Sequence, residues 1–228
     1  DGANKGFILS ISKAGEIQWD KTIANTTSIE QVTTDGDNLY AVGQHVDTGV
    51  AVVSTNPAGI ERWATTLEYN DSSVSNSLTA TAVCCAGAPT TSVDTYALAG
   101  DATAEKNLYI AAFDNVVNQT TITRITNLGE YVTTYQYGDV RINSLNIDTG
   151  NGDGIYLVAA GYYDPAGAVT KTPLMMRLTV TGVVQWQNQL VSANENGEWS
   201  DVLPFGDDIY VSGYINEGTN NNSTGIIA

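Results

Sequence analysis

Apolar and polar positions along this chain come in short bursts separated by turn residues, not in long helical stripes. The stretch from Phe7 to Gly43 sets the pattern. An apolar run, Phe7 to Ile11, turns at Lys13-Ala14-Gly15 and returns through Ile17 and Trp19. A third run, Ile29 to Thr34, turns at Asp35-Gly36-Asp37-Asn38 and ends in Leu39-Tyr40-Ala41-Val42-Gly43. Each run has the length of a strand and each break carries turn chemistry. No segment repeats its apolar residues at 3.6-residue spacing, so the pattern predicts an all-β chain with little or no helix.

The same unit returns along the chain. VAVVSTNPAGIERWATTL, from Val50, matches FILSISKAGEIQWDKTI, and Gly59 stands four residues before Trp63 as Gly15 stands four before Trp19. The closing run of this second unit is read as Asp94 to Gly100, with Tyr96 in the place of Tyr40. A third unit starts near Leu108 without the Gly-to-Trp signature; Glu130–Tyr137 reads as an inserted strand or hairpin, and the unit closes at Tyr156 to Gly161. The fourth restores the pattern, with Gly182 four before Trp186 and a closing run through Tyr210 to Gly213. The units span approximately residues 7–49, 50–107, 108–173 and 174–224, and residues 225–228 begin a further strand in register with Gly6–Leu9.

A period near 40–50 residues with four strands per unit is that of a propeller blade. The expected architecture is one β-propeller domain over residues 1–228, of about four blade-equivalents or part of a larger propeller. The Tyr runs are placed as innermost strands and Ile29–Thr34 as an outer strand. Trp19, Trp63 and Trp186, with Tyr40, Tyr96, Tyr156 and Tyr210, are expected to pack between blades. In its apolar run, G-x-x-x-W and I-Y-V-x-G columns the chain resembles the SBBP (seven-bladed) type of β-propeller repeat. That resemblance implies a secreted or surface protein of bacteria or archaea, and it implies no cofactor.

Composition narrows the partners. The chain carries 25 acids against nine bases, a net charge of −16, with only 15% charged residues in all. Nucleic acid is an unsuitable partner, because phosphate binding needs a basic footprint. The 42% hydrophobic content supports a core, and no apolar run approaches the roughly 20 residues of a membrane helix. The chain begins Asp1-Gly2-Ala3, which reads as a processed form or an excerpt. Acidity with few lysines suggests an extracellular or cell-surface setting. Adjacent Cys84 and Cys85 either point to opposite faces of a strand or close a strained vicinal disulfide, since neighbouring Cα atoms lie about 3.8 Å apart.

Candidate chemistry is sparse. Asp37, Asp94, Asp153 and Asp208 each precede a closing run and would form an acidic rim for a cation or a basic partner; Asp is equally an ordinary turn residue. Asp148, Asn151 and Asp153 have the look of a Ca²⁺ loop, though in imperfect register. N-x-S/T sequons at Asn25, Asn70, Asn118, Asn221 and Asn222 are glycosylation candidates. With His45 the only histidine, no histidine metal cluster is available and no catalytic residue is nominated. The expected function is that of a non-enzymatic structural or binding module, a glycoprotein in a filament, adhesin or other surface assembly, whose partners are its own copies, surface proteins or glycans. The other class is a carbohydrate-active propeller enzyme, a lyase or hydrolase.

Overall fold

The computed structural model describes residues 5–34, 36–46, 49–67, 78–84, 107–114, 118–148, 154–165, 170–190, 195–217 and 223–227. Among them every regular element is a β-strand, and no helix is long and apolar enough to cross a membrane. The strands are β1 (Phe7–Ile11), β2 (Ile17–Thr22), β3 (Thr26–Thr34), β4 (Leu39–His45), β5 (Val50–Thr55), β6 (Glu61–Leu67), β7 (Leu78–Cys84), β8 (Asn107–Asp114) and β9 (Gln119–Thr126). There follow β10 (Tyr131–Gly138), β11 (Val140–Asp148), β12 (Tyr156–Tyr163), β13 (Thr172–Thr179), β14 (Val184–Gln189), β15 (Glu195–Phe205), β16 (Asp208–Glu217) and β17 (Ser223–Ile227).

They pair antiparallel in sequence order, giving a two-stranded first sheet (β1-β2), three four-stranded sheets (β3-β4-β5-β6, β7-β8-β9-β10, β11-β12-β13-β14) and a three-stranded last sheet (β15-β16-β17). Register identifies equivalent places. Ser10, Ser54 and Arg177 face Trp19, Trp63 and Trp186, so β1, β5 and β13 are third strands and β2, β6 and β14 fourth strands. The first sheet therefore consists of a third and a fourth strand, and the last sheet of a first, second and third.

This pairing corrects the expected strand phase. The Tyr run of β4 lies second in its sheet, hydrogen-bonded on both sides by β3 and β5. Ile29–Thr34 belongs to β3, the first strand of that same sheet. First strands carry the contact between neighbours: β7 packs on β3, β4 and β5, β11 on β7, β8 and β9, and β15 on β11, β12 and β13. The third unit is also reassigned. Leu108 lies in a second strand, where Asn107-Leu108-Tyr109 repeats Asn38-Leu39-Tyr40, so Tyr109 holds the tyrosine place expected for Tyr96. Glu130–Tyr137 is no insertion, since β10 is the fourth strand of that sheet and Gly129 supplies its turn at φ +85°. Asp94, Tyr96 and Cys85 lie outside the described residues; Cys84 ends β7, paired with Tyr109.

Second and third strands read as unbroken apolar runs because they are buried on both faces. Tyr40, Val42, Val50 and Val52 pack against Leu108, Ile110, Ala112 and Ile125 of the next sheet, while Ala41 and Val53, of opposite parity, meet Ile8 and Ile23 of the preceding one. Tyr109, Ala111 and Ile122 likewise join Leu157, Ala159 and Leu174, and Val158 and Ala160 join Trp199, Val202 and Val211. Each core thus lies between two successive sheets. Side-chain alternation on a strand sends neighbouring residues to different cores.

The closing glycines have a steric cause. Gly43, Gly161 and Gly213 sit opposite a β-bulge on the first strand of their sheet. A Cβ there would collide with the backbone oxygens of Ser28, Arg141 and Glu198 respectively. In these three sheets the bulge brings that strand too close for a Cβ. Ala112 occupies the matching place in the third sheet.

Candidate functional site

The most regular chemistry among the described residues is a seat that each four-stranded sheet offers to the one before it. The indole of Trp19 lies on the β5–β6 turn, where Gly59 (φ +77°) leaves room, and a Cβ on that glycine would come 2.8 Å from Trp19 Cδ2. Trp19 Nε1 donates to the Pro57 carbonyl at 2.9 Å. Trp63 repeats this on the β9–β10 turn: a Cβ on Gly129 would fall 2.9 Å from Trp63 Cε3, and Nε1 donates to Asn127 O at 2.9 Å. In the third sheet the tryptophan column holds Thr133, opposite Arg124. Tyr135, two residues on and so on the same face, fills the seat over Gly182 and donates from Oη to Val180 O at 3.3 Å. In all three, the acceptor is the carbonyl two residues before the glycine. Apolar bulk and one satisfied N–H or O–H are what a half-buried aromatic needs.

Beside Tyr135, Tyr137 donates to Gly182 O at 2.8 Å. Burial, reinforced by the proximity of Tyr135, raises its phenol to about 12. Sequence reasoning missed both tyrosines because it sought a tryptophan at one fixed distance from a glycine.

The other sequence candidates fall only partly within the described residues. Asp37 and Asp208 are exposed at the turns between first and second strands of their sheets, and Asp153 lies outside the described residues together with Asn151. Asp148 is 8% exposed and receives Arg177 Nη2 at 2.8 Å, with the guanidinium 3.7 Å from the centre of the Tyr156 ring. A cation at that loop would compete with an arginine already in place. Among the described residues no three His, Cys, Asp or Glu side chains converge as metal ligands do. Of the tyrosines, Tyr40 is fully buried against Trp63, with ring centres 6.1 Å apart, whereas Tyr210 is 45% exposed.

The sequons divide too. Asn25 is exposed in the β2–β3 turn at φ +57°. Asn118 Nδ2 is committed to Asp139 Oδ1 at 3.0 Å and Asp164 O at 2.6 Å, bonds a glycan on that nitrogen would disrupt. Asn70, Asn221 and Asn222 fall outside the described residues.

Between the second and third sheets a cleft of about 190 Å³ opens, lined by Thr65, Thr66, Thr121, Thr123, Thr134 and Tyr131 together with the apolar Val50, Leu67 and Ala112. Lys171, at the junction of the fourth and last sheets, donates to Glu198 Oε2 at 3.2 Å and lies 4.1 Å from the Tyr162 ring centre. Burial opposes its charge, but hydrogen bonds to Tyr162 and Glu198 outweigh that and raise its pKa, so it is a fixed cation. The chain matches no protein-family model and no curated protein sequence.

Proposed function

We propose that the chain is a non-enzymatic β-propeller module of about four blade-equivalents, extracellular or on a cell surface, serving a surface assembly, adhesin or fibre as a structural and binding unit. The observation that carries this reading is the state of the two end sheets. Phe7, Leu9 and Ile11, on one face of β1, are 65%, 40% and 55% exposed, and Leu203, Phe205 and Tyr210 of the last sheet are 55%, 73% and 45% exposed. Equivalent faces between the inner sheets are buried cores. Apolar side chains gathered on an exposed strand face are the kind of surface that proteins bury against partners. Sedimentation velocity across a hundredfold concentration range tests it. Growth of larger species with concentration is expected, and a monomer throughout would overturn the assembly reading.

A second reading has its own support. The cleft, lined by threonines and the exposed Tyr131, suits the hydroxyls and apolar ring faces of a sugar, and among the described residues no carboxylate lines it. That favours glycan binding over the lyase or hydrolase chemistry of the enzyme alternative, which works through paired carboxylates. A glycan array with the wild type and Tyr131→Ala checks it: binding lost in the variant is the expected result, and turnover of any bound glycan would restore the enzyme.

A further inference from the structure

Among the described residues the aromatic seats leave one aromatic and one seat over. Trp186 stands in the fourth-strand column, facing Arg177 as Trp19 faces Ser10 and Trp63 faces Ser54. The turn it would rest on is the one joining third and fourth strands of the last sheet, and among the described residues that sheet ends at its third strand. No acceptor for its Nε1 occurs among the described residues, although Trp19 and Trp63 each have one at 2.9 Å. At the other end, the β1–β2 turn carries Gly15 at φ +86°, the same left-handed geometry as Gly59 and Gly129. A Cβ on Gly15 would meet nothing within 4 Å. Lys13 presents its carbonyl two residues before that glycine, as Pro57 and Asn127 do.

Two further residues show what each end lacks. Val32, Leu145 and Val202 occupy one place on their first strands, opposite Ala41, Ala159 and Val211. Leu145 and Val202 are 3% and 2% exposed, but Val32 is 45% exposed. Among the described residues the sheet before Val32 has no first or second strand to cover it. Tyr210, in the register place of Tyr40, is 45% exposed, and among the described residues its sheet has no fourth-strand tryptophan to stand beside it as Trp63 stands beside Tyr40.

We propose that copies of the chain join head to tail, the β1–β2 hairpin of one copy taking the third- and fourth-strand places beside β16 of another. The joint reads β15-β16-β1-β2, the order of every complete sheet in the molecule. Trp186 of the receiving copy then rests on Gly15 of the donor and donates to Lys13 O, Trp19 of the donor stands beside Tyr210, and β15-β16 cover Val32. The place that β1 takes is held within one chain by β17, whose Gly225-Ile226-Ile227 sits in the register of Gly6-Phe7-Ile8, with Ile226 opposite Gly213 as Ala51 is opposite Gly43. β17 offers one strand there; the hairpin offers two and an aromatic seat. The hairpin displaces β17 from the β16 edge; strand addition at the edge so freed supplies main-chain hydrogen bonds, and the side chains supply selectivity.

A second copy is the favoured donor because all successive sheets within a chain make contact, while no substantial contact joins last to first among the described residues. A joint between two different surfaces leaves one of each free at the ends of a dimer, so it propagates.

The inference rests on the assembly reading above, and the test separates the two. Trp186→Ala removes the receiving side, and Gly15→Asn fills the seat with a residue that tolerates positive φ. Each variant should keep the wild-type circular dichroism spectrum and assemble at least tenfold more weakly in sedimentation velocity. An equimolar mixture should give dimers and nothing larger, since each variant retains one working end. Wild-type assembly that neither variant weakens, or variants that fail to complement each other, would overturn this joint and leave the assembly reading standing. A monomeric wild type that loses thermal stability on Trp186→Ala would overturn both, placing the contact within a single chain.

Discussion

At the scale of single residues, the aromatic columns are legible because their requirement is chemical and local. A large ring at a sheet edge needs a flat neighbour and an acceptor, and a turn glycine followed two residues after a free carbonyl provides both. The substitution in the third sheet was not legible, because Tyr135 reaches the same seat from two residues further along the strand. Tyr137, in the same cluster, yields a pH prediction. Its folded pKa of about 12 lies above the ordinary 10, so the folded state holds its proton where the unfolded chain has lost it. The stabilisation is complete below pH 10 and lost as pH rises toward 12. Discounted for a partly solvated ring, the change is on the order of 1–2 kcal/mol. Urea midpoints measured between pH 9 and 12 should fall in the wild type and fall less in Tyr137→Phe. The closing glycines give a second prediction. Gly161→Ala sets a Cβ against Arg141 O and should destabilise the protein by roughly 1–3 kcal/mol, whereas Ala112→Gly should cost no more than about 1 kcal/mol. Urea denaturation of both variants compares them directly.

At the scale of elements, strand positions followed from apolar runs bounded by turns, but the assignment of strands to sheets did not. A meander of four strands repeats identically whichever strand is counted first, and the hydrogen-bond partner of a run leaves no mark in its own residues. The phase becomes visible only in pairing: bulges opposite Gly43, Gly161 and Gly213 identify the first strand, and the aromatic seats identify the fourth. The acidic rim and the calcium loop rested on turn residues alone, which serve hairpins as readily as ligands. Asp148 illustrates the difficulty, since its partner Arg177 lies on another strand that spacing could not point to. The seats also separate two chemically identical residues. Trp63→Ala empties a filled seat and should cost roughly 2–4 kcal/mol in urea unfolding of the dilute chain. Trp186→Ala, with no seat among the described residues, should cost less than about 1 kcal/mol under the same conditions. Equal losses would mean that Trp186 is already packed.

At the scale of the whole molecule, the stack of sheets explains how a chain with 15% charged residues keeps a large buried core: every inner sheet is covered on both faces by its neighbours. The two end sheets are the incomplete ones among the described residues, and the repeat points to a further strand at residues 225–228 without naming what would cover the faces beside it. Charge bears on their joining. With a net of −16 per chain, copies repel at long range, and salt shortens that repulsion from about 30 Å at 0.01 M to about 8 Å at 0.15 M. Assembly measured by light scattering should therefore strengthen as salt rises over that range, and weakening would point to an ion-paired contact instead. The most direct measurement is electron microscopy of the purified chain at high concentration in physiological salt. Linear strings of identical subunits, absent from Trp186→Ala, are the predicted result. A field of separate closed particles at every concentration would contradict the account.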